Sequence, residues 1–451
     1  GENSNAVPPV EDTMIKIGFL NDMANNVDYS DALSFSANAA VDSLSMYDGY
    51  AFEIVIEDLD CLNVGEDETW AEQPEYSMAE TAAQSLADAG VVAVVGAACS
   101  GTSMAANTVL AASGIPQISY ASTHPDLSDD TAYPNFFRLL PSDTIQSDTS
   151  QADAMADMVA AGGVTSPALI HTNSAYGTNL ADSFESIWND EMSRSSCLTS
   201  AYQDDNEDFS GLVQTIIDAG CDSVVLLSEY ASAGSLDIIL TLRVMGSPIT
   251  IFGSNGIGGQ STLPVDYPVN ALDGVQVTQP RAADEDPVEF VTTCAADDTC
   301  AAGIYTAEAF DAVMMIGEAA VREDGANLAT HLMMVGVDYA GASGIHNFME
   351  NGDAAGDVID VCTSQYIPNS SNRYNCYMRW TPGERLVAAP FMGDTVKIGF
   401  LNPVTGPLSD YESGFEAASN IALYMANIIG WNNMVQFEIV YADSGCDGSV
   451  A

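Results

Sequence analysis

Lysine is almost missing from this sequence. Among 451 residues there are two, Lys16 and Lys397, and Lys and Arg together number 10 against 64 Asp and Glu. The formal net charge of −54 excludes nucleic acid and anionic membrane as partners, because both carry the same sign. No run of 18 or more apolar residues occurs, so no segment reads as a membrane-spanning helix. Histidine is scarce, with four residues, and neither C-x-x-C nor H-E-x-x-H is present, which excludes the common zinc patterns. No metal and no cofactor is expected.

What is present points to folded lobes in a harsh solvent. At 47% hydrophobic residues the chain can bury cores, and its length suffices for two or three of them. Carboxylates in this excess repel one another at low salt, whereas near 1 M salt the Debye length shrinks to about 3 Å. A saline, halophilic setting is the first expectation, and an ordinary acidic secreted protein is the alternative. Nine cysteines in a loop-rich acidic chain point to an oxidising compartment. The opening GENSNAVPPVEDT, residues 1–13, reads as a polar tether of the kind that follows a removed signal peptide or a lipid-modified cysteine. An extracellular or cell-surface location follows.

Short apolar runs alternate with amphipathic patterns. IKIGFL, FEIVIED, VVAVVGA, QISYA, PALIHT, SVVLLSE and ITIFG read as strands; MAETAAQSLADAG, MAANTVLAASG, QADAMADMVAAGG and FSGLVQTIIDAG read as helices stopped by glycine. Alternation of this kind gives an α/β fold with parallel sheets covered by helices on both faces, and continuous Val/Ile runs suit strands buried on both sides. One sheet begins at Met14 and a second near Pro141, with a return to the first from about Gly274. The tract VIDVCTSQYIPNSSNRYNCYMRW alternates and turns like an antiparallel hairpin, and Asn369 in its loop heads an Asn-Ser-Ser glycosylation triplet.

The chain also repeats itself. IKIGFLN near the start returns as VKIGFLN near the end, and each copy continues through a tyrosine (Tyr29, Tyr411), an alanine-rich helical pattern, FEIV and a cysteine (Cys61, Cys446). The second copy, 394–451, is a partial repeat of the first lobe. By itself a βαβ unit leaves two sheet edges and an apolar helix face uncovered. Two expectations follow: tandem modules in the parent gene, or self-association through 394–451, extending to a filament. Cys446 would then lack a partner in its own module.

At VVGAACSGTSMAA a buried strand ends at a small-residue turn and a helix begins, so unpaired amides, the positive helix end and the hydroxyls of Ser100, Thr102 and Ser103 form a cradle for a carboxylate. Ala121-Ser122-Thr123 follows the next strand at the same edge of the sheet, where open α/β sheets bind ligands. The competing reading of such hydroxyls is simple helix capping. In QDDNEDF, Asp204, Asn206 and Asp208 alternate as calcium ligands do, but the glycine and distal glutamate of such a loop are lacking, so a solvated acidic loop is expected.

Taken in order, KIGFLN, FEIVIEDLDC, VVGAACSGTS, IPQISYASTHPDL, NFFRLLPSDTIQ, NSAYGTNLA, DFSGLVQTIIDAGCDSVVLL, IFGSNGIGG and YTAEAFDAV resemble the branched-chain amino-acid binding proteins of ABC transporters, of the type I periplasmic binding fold. The resemblance implies two doubly wound lobes joined by three crossovers that close on a small ligand, a Venus flytrap spanning 14–391. Lobe 1 would take about 14–140 and 274–345, and lobe 2 about 141–273 and 346–391. It implies that a ligand carboxylate meets Ser100 and the Ala121/Thr123 turn, that an ammonium meets Asp143, and that Tyr29, Tyr176, Tyr230 and Tyr305 line the pocket. Where α-amino-acid binders of the family place a glutamate, this chain has Asn255 in Gly253-Ser254-Asn255-Gly256, which can bond an ammonium but not neutralise it. An amide, a urea-like compound or a small carboxylate therefore joins the amino acids as a candidate ligand. The partner implied is an ABC transporter permease.

The resemblance also implies a bridge between Cys61 and Cys99. Cys294 and Cys300 bracket a short loop, Cys362 and Cys376 bracket the hairpin, and Cys197 is left with Cys221 near two adjacent strands; paired Cα atoms should lie within about 7 Å. Catalysis is not expected, because Ser100 lacks a G-x-S-x-G elbow and no histidine occupies a partner motif. The alternative is an extracellular sensor or a self-assembling surface protein that reuses the fold.

The charge yields a direct test. If it is a halophilic adaptation, the melting temperature rises steeply from low to molar sodium chloride. A flat response in a salt-dependent melting series would leave the ordinary acidic secreted protein.

Overall fold

The structure, a computed structural model, describes residues 13–22, 27–59, 74–143, 151–203, 208–228, 233–246, 249–258, 268, 270–281, 305–322, 327–355, 358–364, 374–381, 383–388, 394–402 and 435–443. Residues 1–12, Cys61, Asp204, Asn206, Tyr230, Cys294, Cys300, Asn369, Tyr411 and Cys446 lie outside them. The chain falls into two compact units, Gly1–Val387 and Ala388–Ala451.

In the first unit, β1 (Thr13–Asp22), α1 (Val27–Leu44), β2 (Tyr50–Leu59), α2 (Pro74–Asp88), β3 (Ala93–Val95), α3 (Ser100–Ala112), β4 (Gln117–Ser119) and β5 (Phe136–Arg138) alternate along the chain. Their parallel sheet runs β2-β1-β3-β4-β5. Alternate residues of β1 serve opposite faces. Ile15, Ile17 and Phe19 enter a core with Leu33, Ala37, Ala40 and Leu44, which recur at helical spacing on α1, while Leu20 packs with Ala79, Ala83 and Leu86 of α2 and Leu110 of α3. Burying each such large aliphatic side chain contributes about 1.5–3 kcal/mol. Gly114 and Gly220 end their helices at φ 71° and 70°, in the left-handed region that glycine adopts without strain.

The second sheet begins after α4 (Gln151–Ala161) with β6 (Pro167–Thr172), α5 (Ala175–Ser186), β7 (Leu198–Tyr202), α6 (Ser210–Asp218), β8 (Ser223–Leu227), α7 (Ala233–Val244), β9 (Thr250–Gly253), α8 (Asn255–Gly258) and β10 (Gln276–Arg281). The chain then supplies α9 (Thr306–Ala320), α10 (Leu328–Val335) and the short pair β11 (Tyr339–Ala340) and β12 (Ile345–His346), before β13 (Val358–Ser364), β14 (Tyr374–Thr381) and β15 (Arg385–Ala388). The sheet order is β15-β14-β13-β10-β9-β8-β6-β7, with β13 antiparallel to both β10 and β14.

Helix α9 belongs to the first lobe. Ala309, Ala312, Val313 and Ile316 join the core of β1 and α1, and a Cβ on Gly317 would stand 2.4 Å from Leu44 Cδ1, so glycine permits the two helices to close up. The lobe limits read from the sequence move accordingly. β10 pairs with β9 and β13 and so belongs to lobe 2, placing the return to lobe 1 after Arg281 rather than at 274. Residues 346–355 stay with lobe 1: Gly352 O accepts from Arg138 N (3.1 Å) and Phe348 packs on Phe137 at 5.2 Å between centroids. The sequence placed them in lobe 2 because only the non-local pairing reveals the crossing after Ala355.

Two expected bridges are present among the described residues, Cys197–Cys221 with Cα atoms 5.5 Å apart and Cys362–Cys376 at 3.7 Å across the hairpin β13–β14. Cys99 is also disulfide-bonded. In the second unit β16 (Asp394–Asn402) and β17 (Val435–Asp443) pair in parallel, Lys397 beside Glu438, the register in which β1 and β2 set Lys16 beside Glu53.

Arg138, at the end of β5, is fully buried. Its Nε donates to Asp353 Oδ1 (2.6 Å), Nη1 to His124 O (2.9 Å) and Nη2 to Ser128 Oγ. Asn351 Nδ2 bonds the same Asp353 and Ser128 O. Arg138→Met would strand the buried Asp353 carboxylate and should cost about 3–5 kcal/mol in urea denaturation, with Arg138→Met/Asp353→Leu recovering most of that loss. A single-variant cost below about 1 kcal/mol would show that the pair does not hold this junction.

Candidate functional site

The site grows from two turns at the carboxyl edge of the first sheet. Cys99 caps α3 with extended backbone and no side-chain cap bond. The hydroxyls behind it are committed to joining the turns: Ser103 Oγ meets Ser122 Oγ at 2.8 Å, Thr102 Oγ1 donates to Cys99 O (2.9 Å), and Ser100 Oγ accepts from the His124 N–H (3.2 Å). Ser119 Oγ donates to Ala97 O (2.7 Å) while accepting from the N–H groups of Ala121 and Ser122. Ser100 and the Ala121–Thr123 turn are thus brought side by side, as expected, with Ser100 held by a backbone amide of the neighbouring turn.

Thr123 carries the arrangement to Asp143. The Asp143 N–H donates to Thr123 O (2.8 Å) and Thr123 Oγ1 donates to Asp143 Oδ2 (3.1 Å). Asp143 is buried, and loss of water pushes its carboxyl up to about 7, against the Thr123 bond and the Arg138 charge that lower it. His124 goes the other way. Burial holds it down to about 4, and its Nδ1 accepts from Asp126 N (3.1 Å), so the ring is neutral at pH 7.

The second lobe faces this acid with neutral groups. Ser174 caps α5 through the Gly177 N–H (3.0 Å), which places Tyr176 in the first turn, and its hydroxyl donates to Asn255 Oδ1 (2.5 Å). Ser254 is fixed to Ser228 in both directions, its Oγ accepting from the N–H (3.1 Å) and donating to the carbonyl (2.8 Å), and this sets Asn255 at the head of α8. Asn255 Nδ2 in turn reaches Tyr305 OH of the first lobe. Tyr305 starts α9 with a left-handed backbone, φ 60°, a conformation rare for aromatic residues and concentrated at functional sites. Burial pushes both phenols upward, so both remain protonated.

Thr123–Asp143 and Tyr176–Asn255–Tyr305 are thus two bonded groups, which the Gln151 carboxamide, 3.2 Å from Asp143 Oδ1 and 2.7 Å from Asn255 Oδ1, joins across the two lobes. Tyr29 lies on α1, but its side chain is outside the described residues, as is Tyr230. Sequence reasoning missed Gln151 and Thr278. The Gln151 carboxamide lies 2.7 Å from Asn255 Oδ1 and 3.1 Å from Thr278 Oγ1 and is buried, although it opens an amphipathic helix where a glutamine normally meets solvent. Among the described residues no group of three or more His, Cys, Asp or Glu is placed to hold a metal.

A second buried cluster has the composition of a catalytic triad without its geometry. Ser343 Oγ (2.9 Å) and Asp311 Oδ2 (3.0 Å) both approach the same His346 Nε2, whereas proton relay needs acid and nucleophile on opposite ring nitrogens. Asp311 also accepts from the N–H groups of Ala342 and Ser343, so the cluster clamps this loop onto α9.

The family described as the receptor family ligand binding region matches residues 35–367. Metabotropic glutamate receptor 6 of Oryctolagus cuniculus is 43% identical over 97 residues, which is 22% of this chain and 11% of that receptor. The match thus spans about a tenth of the receptor's length. A leucine-binding protein, LivK, from Thermotoga maritima MSB8 superposes with a TM-score of 0.66 at 20% identity, covering 78% of this chain and 95% of that one. A solute-binding protein of an ABC transporter from Rhodopseudomonas palustris HaA2, in complex with p-hydroxybenzoic acid, gives 0.66 at 14% identity, covering 83% and 97%. The fold is the type I periplasmic binding fold.

Asp143 supplies a test of this site. Its folded carboxyl keeps its proton to about pH 7, while an ordinary aspartate releases it at 3.8. The folded state binds that proton more tightly, so the group's contribution to stability falls as pH rises through the window, by at most about 1.4 kcal/mol per unit. Asp143→Asn should gain stability relative to the native protein between about pH 4 and pH 7 and run parallel to it outside. Thermal melts in which the difference stays constant with pH would contradict the raised affinity.

Proposed function

Because this chain belongs to the family of receptor ligand-binding regions, we propose that it is an extracellular solute-binding protein that captures a small polar nutrient between its lobes for an ABC transporter permease. One observation carries the reading: Asp143 and Thr123 of the first lobe and its junction, and Tyr176 and Asn255 of the second, converge with Tyr305 in one buried polar set joined through Gln151. A solute that bonds to both sides stabilises the closed lobes, which is how binding becomes a shape that a permease can recognise. The disulfides suit an extracellular location and the −54 net charge a saline one.

Binding rather than catalysis is favoured because the buried Ser343–His346–Asp311 cluster lacks relay geometry. The ligand class is an amino acid or a related amide or carboxylate. An extracellular sensor is the second reading, supported by the 43% identity over 97 residues to a glutamate receptor. The paired strands of the second unit share the register of β1 and β2, which supports reading 394–451 as a repeat of the start of the first lobe, the feature from which both tandem modules and association of copies follow.

Calorimetry and thermal-shift measurements on the full chain in molar salt, with leucine, acetamide, urea, acetate and p-hydroxybenzoate, test the proposal. Saturable heat with at least one of them is expected, together with a smaller radius of gyration by X-ray scattering as the lobes close. No heat and no shift with any member would sink the receptor reading.

A further inference from the structure

The Gln151 carboxamide stands between Asp143 and Asn255. One of its two terminal atoms lies 3.2 Å from Asp143 Oδ1; the other lies 2.7 Å from Asn255 Oδ1, 3.1 Å from Thr278 Oγ1 and 3.2 Å from the Asn255 backbone nitrogen. Which terminal atom is oxygen is a matter of hydrogen-bond polarity, and two self-consistent arrangements exist. With Asp143 protonated, the acid donates to Gln151 Oε1, Gln151 Nε2 donates to Asn255 Oδ1, and Asn255 Nδ2 donates to Tyr305. With Asp143 ionised, both amides turn over, and Tyr176, which donates to Asn255 Oδ1 in the first arrangement, accepts from Asn255 Nδ2 and turns its own proton toward Ser254. Gln151 Nε2 donates to the carboxylate, Gln151 Oε1 accepts from the Asn255 backbone and side-chain N–H groups and from Thr278, and Tyr305 donates to Asn255.

We propose that Asp143, Gln151, Asn255 and Tyr305 form a reversible hydrogen-bond relay across the lobes, and that a carboxylate ligand enters the cleft together with one proton, taken from solvent by Asp143. The ligand coupling rests on the solute-binding function proposed above. Every donor position alternates along the chain of groups, so the proton on Asp143 fixes, through Gln151 and Asn255 of the second lobe, the polarity of the Tyr305 phenol. Only the protonated arrangement leaves the Tyr305 proton pointing away from Asn255, toward an acceptor on the ligand.

Charge selects the same arrangement. An ionised Asp143 beside an incoming carboxylate would place two like charges in a dry cleft, whereas the neutral acid removes that repulsion and loosens its claim on the Thr123 hydroxyl, a neutral acceptor being the weaker one. The charged and titratable groups that face Asp143 do not replace the proton. Arg138 of β5 acts through charge but is bonded to Asp353; Tyr176 of α5 and Tyr305 ahead of α9 act as raised phenols, with Glu308 of α9 acting on Tyr305. Burial of Asp143 brings the exchange into the neutral range.

Calorimetry of the full chain with p-hydroxybenzoate and acetate, in buffers of different ionisation enthalpy, tests the coupling. Uptake of up to one proton is expected, with Kd rising about tenfold per pH unit above the Asp143 titration and levelling below it. In Asp143→Asn the affinity, whatever its level, should no longer follow pH in this way, and in Gln151→Met the pH dependence should move to higher pH together with the Asp143 titration. Carboxylate binding with buffer-independent heat, or with proton release, would overturn the coupling. A ligand-free arm reads the relay alone: the carboxyl carbon resonance that Asp143→Asn deletes should titrate near neutrality and move upward in Gln151→Met, which removes the donor to the ionised acid. No movement there would overturn the relay. Failure of every probe to bind, with the resonance still moving, would overturn the receptor reading and the ligand coupling while leaving the relay standing.

Discussion

A guanidinium removed from water must find enough oxygens to replace it, and Arg138 does so by drawing three separate stretches of chain together. The residues it bonds sit in the site turn (His124), in the turn that follows (Ser128) and in the last lobe-1 segment before the chain crosses to β13 (Asp353). Arg138 itself ends β5, five residues ahead of Asp143, so the placement of the buried acid depends on this cation being satisfied. Desolvation makes the demand strict: an ion pair this deep adds little net stability, but losing one partner leaves a charge with nowhere to go. The junction is therefore specified more sharply than it is stabilised.

From that anchor the site is built by small hydroxyls. Serines 103, 119 and 122 stitch the turn before α3 to the turn after β4, so that Thr123 meets Asp143 from a fixed direction. The second lobe contributes amides and phenols in place of charges. Asn255 bonds both Tyr176 and Tyr305, and a glutamate at this position would have set two buried acids facing one another. The single acid and the asparagine are in this sense one arrangement.

Much of this was legible beforehand because it depends on local pattern. IKIGFL and VVAVVGA declare strands buried on both faces, glycine marks the helix ends, and the alternating VIDVCTS tract does form a strand of an antiparallel pair. Five of the nine expected ligand residues fall into two bonded groups that Gln151 joins, and the turn bearing Ser100 and Ala121 lies against the first of them. The remainder is non-local. Whether β10 returns to the first sheet depends on its pairing with β13, about eighty residues on, and no periodicity reports that. Gln151 went unnoticed although its helix was legible, because its partners Asn255 of α8 and Thr278 of β10 lie on distant stretches of chain. Arg138 was visible as a charge inside FFRLL, but its partner stands 215 residues away.

The two lysines share a neighbour. Lys16 lies beside Glu53 and Lys397 beside Glu438 on parallel strand pairs of the same register. Lysine thus occurs at one register position only, twice, each time across from a glutamate of the neighbouring parallel strand. An acid in place of Lys16 would put two acidic residues at one register position of neighbouring strands, a like-charge pairing that works against the sheet, so the excess of carboxylates stops at this position for a local reason.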